Sequence, residues 1–323
     1  MNSRDRFLET MRFGQPDRVP YFQEGLRPEV LQAWGLQGLH SAEELSSLFP
    51  IDRREEEEID GYPHPRFLRW PKSTAGLNGF RRRLKPCEVR LPTGWRKMVP
   101  VWRNRQDTLM LEVHHGFFLT MGVNDWKQFN WVIESLIDRP KLVLEFMRIE
   151  AEMLAVLLER FLSEVQIDAA IFSEPIGGNN GALISPRMYE QFVLSTYLPV
   201  LDVLKRHGVD IIILRTYANA RVLIPSMLKY GLNCLWACET NAEAMDYRSL
   251  RQEFGSGLRL IGGIDLDVLR EGKDAIRREV EEKVPPLLEQ GGYVPLADGR
   301  VREDIPFENY VYYRKLLERV TEG

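Results

Sequence analysis

The chain has 323 residues, 44% of them hydrophobic and 28% charged, with a formal net charge of -4. That composition is ordinary for a globular protein, and with no domain-wide basic excess it gives no reason to expect nucleic acid. Three cysteines, Cys87, Cys234 and Cys238, are too few for a disulfide framework and suit a reducing compartment.

The opening residues, Met1-Asn2-Ser3-Arg4-Asp5-Arg6, are charged and lack an apolar signal core. No apolar run reaches the roughly 18 residues needed to span a bilayer. The expectation is a cytoplasmic chain with no membrane partner. Residues 2–13 read as a helix, Gly14-Gln15-Pro16 as a break and residues 19–23 as a first strand. Glu55–Glu58 is a charge run, read as a solvated loop or helix face. Residues 80–120 read as an antiparallel excursion: 81–90, a Pro92-Thr93-Gly94 turn, then 96–103 and 108–113. Such an insertion, on a barrel, would cover one mouth. Asp138 is placed to cap a helix with Pro140 in its first turn, and apolar residues recur at helical spacing from Leu142 to Phe161.

A strand follows at 165–172, and Ser185-Pro186 opens the next helix, with serine as cap and proline at the first helical position. That helix runs to His207. From there a helix ends at glycine and an apolar strand follows four times, giving strands at 209–214, 232–237, 258–264 and 293–296. The runs do not alternate, so both faces are buried, the mark of a parallel sheet. Repeated strand–helix–strand units give an α/β fold. With no internal repeat or low-complexity linker, residues 1–323 are read as one domain. No Gly-rich phosphate loop follows any strand; Gly262-Gly263 is a lone pair.

In parallel α/β folds, ligands sit at the carboxyl ends of strands. Those ends carry Glu24, Glu174, Arg215 with Tyr217, Cys238 with Glu239, Asp265, and Asp298 with Arg300. Together they predict a polar site. The competing reading is a set of loop-anchoring salt bridges, with Arg215 and Arg300 neutralising Glu174, Glu239 and Asp298. Asp265 could equally cap the helix after it. Of His114-His115, at least one must point inward. Glu174, Tyr217 and Asp298 are the catalytic candidates. Glu24, His115, Asn179, Asn180, Tyr189, Arg215, Trp236, Glu239, Asp265 and Arg300 are the substrate-binding candidates. Cys234 and Cys238, four apart without a histidine partner, are a weak zinc signal.

Several stretches resemble the uroporphyrinogen decarboxylase superfamily. They are Arg4–Phe13 with Pro16-Asp17-Arg18-Val19-Pro20, Leu183–Phe192, Gly262-Gly263-Ile264-Asp265, Gly291–Pro295, and Asp304–Asn309. The resemblance implies a (β/α)₈ TIM barrel, here with the N-terminal antiparallel excursion. It also implies a range of activities that includes tetrapyrrole decarboxylases and corrinoid-protein methyltransferases. Thiol methyltransferases of the superfamily carry a zinc-binding histidine-x-cysteine pair where this chain has Arg215-Thr216-Tyr217, with a third ligand near Gly299. Arginine does not deprotonate in proteins, so no zinc is expected. The decarboxylase's arginine-rich propionate grip is replaced by Gln23-Glu24-Gly25-Leu26-Arg27, and an acidic site suits a polycarboxylate poorly. The expectation is a corrinoid-linked methyltransferase acting on a small methylated substrate, preferably a methoxylated aromatic, with a separate corrinoid protein as partner and a homodimeric assembly. Decarboxylation of a porphyrinogen-like substrate is the runner-up. A non-catalytic ligand- or partner-binding relative is the third reading.

Overall fold

The structure, a computed structural model, describes residues 1–238 and 245–322. In chain order its strands are β1 (Arg54–Glu58), β2 (Thr108–His114), β3 (Ala169–Glu174), β4 (Gly177–Gly178), β5 (Gly181–Ala182), β6 (Ile212–Tyr217), β7 (Cys234–Cys238), β8 (Arg259–Ile264) and β9 (Tyr293–Ala297). The described residues form two compact units. One comprises Met1–Arg54, Gln106–Thr108 and Cys234–Gly323; the other comprises Glu55–Arg105 and Leu109–Asn233. Both are α/β with parallel strands.

In the unit of residues 55–105 and 109–233, β1, β2, β3 and β6 lie in that order. β3 pairs in parallel with β2 and β6. The long helix Pro140–Leu162 links β2 to β3, and the helix ending in Ser195–Arg206 links β3 to β6. Ser185 caps the latter, accepting a hydrogen bond from the Met188 N–H, with Pro186 in the first turn, as the sequence predicts. The helix then widens into a π-helical turn over Tyr189–Leu194. Asp138 does not cap Pro140–Leu162; it ends the helix Trp126–Asp138, and Arg139 takes the cap position.

The antiparallel excursion is not formed. Residues 74–83 and 95–103 are helices, and β2 runs parallel to β3. Trp95, Val99 and Trp102 recur at helical spacing and are buried, with both indoles against Phe161. This burial decides the local structure over the strand pattern. The Glu55–Glu58 run is a strand rather than a solvated loop or helix face.

In the other unit, β7, β8 and β9 pair in parallel. Gly262 and Gly263 have φ of 103° and 86°, a region L side chains avoid. The Tyr247 ring occupies the space a side chain at Gly263 would need. The Tyr247 hydroxyl accepts from the Ala237 N–H (3.0 Å) and donates to the Ile261 carbonyl (2.8 Å), tying β7 to β8. Residues 19–23 form no strand. The Tyr21 N–H donates to the Asp52 carboxylate, and the Tyr21 and Phe22 carbonyls accept from Arg314. Side chains satisfy the groups a ladder would have used. No described helix is long and apolar enough to cross a membrane.

Candidate functional site

Successive residues of a strand face opposite sides of its sheet, and this sorts the candidates at the ends of β2, β3 and β6. Ser173 pairs with Arg215, and Glu174 with Thr216. Glu174 faces the helices: its carboxylate accepts from the Phe117 N–H (2.8 Å) and from the Tyr197 hydroxyl (2.5 Å). Arg215 and Tyr217 face the other side. Arg215 is ion-paired there with Glu56 of β1 (2.7 Å) and with Glu112 of β2. The competing reading in which Arg215 neutralises Glu174 is therefore corrected: the two side chains face opposite sides of the sheet, and Arg215 pairs with carboxylates of neighbouring strands.

A break in register between Glu112 and His114 sends Glu112 to the Arg215 side and His114 to the helix side. Bulges of this kind re-aim side chains. Burial raises the Glu112 carboxyl above the ordinary glutamate value; Arg215 opposes this, and Glu58 and Glu56 add to it. Glu112 and Glu56 escaped the sequence reading. The one available signal for Glu112 was a single carboxylate inside an otherwise apolar strand.

On the helix side, Glu174 is fully buried and its carboxyl is raised to about 7 by desolvation, against the two hydrogen bonds it accepts. Beside it lies a group of buried polar side chains. Glu150, on Pro140–Leu162, is 3.3 Å from His115 Nδ1 and 3.8 Å from His114 Nε2. Neither contact has hydrogen-bond geometry, and both Glu150 oxygens lack a partner. The Thr120 hydroxyl, which opposes the rise of the Glu150 carboxyl, donates to the Gly116 carbonyl. Burial drives the Glu150 carboxyl well up and the imidazoles down, His115 to about 3. His114 Nε2, His115 Nε2, the Tyr189 hydroxyl and the Thr216 hydroxyl are also buried without a partner. An unpaired buried polar group costs about 1–3 kcal/mol. Gly61 and Gly116 allow close approach here: a side chain at Gly61 would strike Glu150 and His115, and one at Gly116 would strike Glu174. Asn179 and Asn180 are exposed in the turn between β4 and β5.

In the other unit, Glu24 is fully buried. It accepts from the hydroxyls of Tyr310 and Tyr313 (both 2.8 Å), from the Ala297 N–H (3.1 Å) and from Arg314 (3.3 Å). Asp298 accepts from the Leu266 N–H (2.9 Å). Asp265 accepts from the Asp267 N–H (2.8 Å), but the N-cap of the short helix Val268–Glu271 is Asp267 and no side chain caps it, so the capping reading of Asp265 is not met. Trp236 is buried with the Arg54 guanidinium 4.9 Å from its ring. The stem of Arg300 passes over Gly25. Glu239 lies outside the described residues. At the positions matching the superfamily's zinc ligands, Arg215 is a guanidinium with no lone pair to donate and is engaged by two carboxylates. The residues there do not fit a zinc ion.

Parallel strands joined by helices, with ionisable groups at their carboxyl ends in each unit, define an α/β protein. The sequence profile of the family described as Uroporphyrinogen decarboxylase (URO-D) matches residues 119–309, and the chain belongs to this family, whose members are enzymes. The chain is similar to uroporphyrinogen decarboxylases of Legionella pneumophila strains Paris and Corby, at 28% identity over 159 residues in each case. The match covers 48% of this chain and 43% of each relative, less than half their length. Among solved structures, xylanase B from Clostridium stercorarium F9 superposes with a TM-score of 0.38 at 12% identity, covering 85% of this chain and 89% of that one.

Proposed function

We propose that this chain is a corrinoid-linked methyltransferase on a (β/α)₈ barrel, taking a methyl group from a small methylated substrate, preferably a methoxylated aromatic. The observation that carries this reading is the Glu56–Arg215–Glu112 cluster. An arginine held by two carboxylates does not grip the carboxylates of a porphyrinogen, and the acidic excess repels them. The corrinoid is a substrate brought by a partner protein and supplies a low-valent cobalt nucleophile. The chain's own task is to help the leaving oxygen depart. The methyl–oxygen bond breaks, its electron pair stays on the aryl oxygen, and that oxygen takes a proton.

The two sides of the sheet support one choice of acid over the other. Glu174 has both oxygens engaged on the helix side, whereas Glu112 stands on the Arg215 side with its carboxyl raised by burial. Glu112 is the proposed acid, carrying the proton once Arg215, held by Glu56, turns from it to stabilise the departing oxyanion, and Tyr217 is the alternative on the same side. Zinc has no part in this scheme, and a homodimer is the proposed assembly. Uroporphyrinogen decarboxylation is the second reading, favoured by the similarity to the Legionella proteins.

Glu112→Gln should lower turnover of an aryl methyl ether by roughly 10²-fold with little change in KM. Glu174→Gln should lower it far less. Steady-state kinetics of the two variants decide the point: an equal or larger loss in Glu174→Gln returns the acid role to Glu174.

A further inference from the structure

The layer between the sheet and its two helices contains more polar chemistry than the proposed reaction uses. His114, His115, Glu150, Glu174, Tyr189 and Tyr197 are all nine-tenths or more buried. They form one contiguous group. His115 and His114 flank Glu150. The His114 ring lies 4.3 Å from the Tyr197 ring, and the Tyr197 hydroxyl donates to Glu174. Thr216 stands beside Glu174 in register.

The tautomer of His114 is fixed. The Gly116 N–H donates to its Nδ1 at 2.9 Å, so in the neutral ring the proton is on Nε2, the nitrogen toward Glu150. That N–H, His115 Nε2, both Glu150 oxygens and the hydroxyls of Tyr189 and Thr216 have no partner within the protein. Donors and acceptors are both represented, and six such atoms in one layer call for a small guest that can donate and accept.

We propose that internal water occupies this layer and joins His114, His115, Glu150, Tyr189 and Thr216 to Glu174 in one proton-sharing network. One proton passes from the Glu150 carboxyl through water to an ionised Glu174. It leaves a carboxylate at Glu150 beside the His114 Nε2–H, and no other bond is made or broken. The return proton enters by way of His115, whose ring stacks 4.1 Å from the half-buried Tyr62. Other charges facing the network are few: Arg90 acts on Glu150, and Asp60 and Arg66 act on His115. Burial, which disfavours each group's charged form, keeps the resting network neutral. The inference is independent of the methyl-transfer reading.

Infrared titration of the full chain tests it, because each buried carboxylic acid gives a carbonyl band that disappears on ionisation. Beside the band of the raised Glu112 carboxyl, two acid bands from Glu150 and Glu174 are expected below neutrality, fading over one shared interval broader than a single-site curve. Glu150→Gln should delete one band and turn the other into a single-site titration. If Glu150→Gln does not fold, Glu174→Gln gives the reading from the other end: the Glu150 band should titrate as a single site at lower pH. High-resolution diffraction should show water within hydrogen-bond distance of the Tyr189 hydroxyl and His115 Nε2. A Glu150→Gln variant that loses no band, two bands whose curves ignore substitution of the other group, or a dry layer would each overturn the proposal.

Discussion

Arg314→Ala should destabilise the protein by about 3–5 kcal/mol, because it leaves the buried Glu24 carboxylate without its counter-charge. The guanidinium is almost wholly buried and donates to the Phe22 carbonyl at 2.8 Å and to the Tyr21 and Pro50 carbonyls at 3.3 Å, besides its ion pair with Glu24. Removing it strips donors from three carbonyls as well as a charge from the pair. The Tyr310 and Tyr313 hydroxyls remain on Glu24, but neutral donors do not replace a cation. Urea denaturation measures the loss. Adding Glu24→Gln to Arg314→Ala should recover part of it, since the stranded charge is then gone. A loss below about 1 kcal/mol, the usual scale of an exposed pair, would mean that Glu24 does not depend on Arg314.

Stability should also fall by about 3 kcal/mol between pH 4.5 and 7 on account of Glu174 alone, whose carboxyl is raised from 4.5 to about 7. The sign follows from which state holds the proton. Below pH 4.5 both the folded and unfolded chains are protonated at this residue, and it is neutral in the balance. Above 4.5 the unfolded chain releases its proton while the folded chain keeps it, so unfolding is favoured more with each step in pH. Above about 7 both are ionised and the penalty is constant. At 1.36 kcal/mol per pH unit the interval gives the stated magnitude. His115, lowered to about 3, acts in the opposite direction: stability is lost as pH falls from 6.5 toward 3. Because the two windows overlap, the quantity to measure is the difference between the wild-type and Glu174→Gln unfolding free energies across pH. That difference should change by about 3 kcal/mol and level off above 7; a flat difference would place Glu174 in a wetter setting.

How far the sequence reaches depends on how local each signal is. Strands β3, β6, β7, β8 and β9 were legible because each is an apolar run, the last four after a glycine helix stop, and the helix opened by Ser185-Pro186 carried its own start signal. Residues 95–103 were not. In WRKMVPVWR, Val99 and Val101 alternate while Trp95, Val99 and Trp102 keep helical spacing, and nine residues cannot separate a period of 2 from one of 3.6. Only packing on Phe161, far along the chain, settles it. Residues 19–23 failed for a related reason: their hydrogen-bond partners include Arg314, nearly 300 residues away.

The candidate site divides the same way. Strand-end logic located Glu174, Arg215 and Tyr217, but the side of the sheet each one faces depends on register with neighbouring strands. The Arg215 partners lie 159 and 103 residues away in sequence, and the shift that turns Glu112 and His114 to opposite sides has no local signature. Glu150, a lone buried carboxylate in the helix Pro140–Leu162, escaped the sequence reading.

The most direct test of the central claim is to mix the purified protein with cob(I)alamin and a panel of aryl methyl ethers, methylamines and thiols, and in parallel with uroporphyrinogen, following corrinoid absorbance and porphyrin products. Methyl transfer from an aryl methyl ether, with uroporphyrinogen unchanged, is the predicted result. A blank across the methyl donors together with decarboxylation of uroporphyrinogen would contradict it.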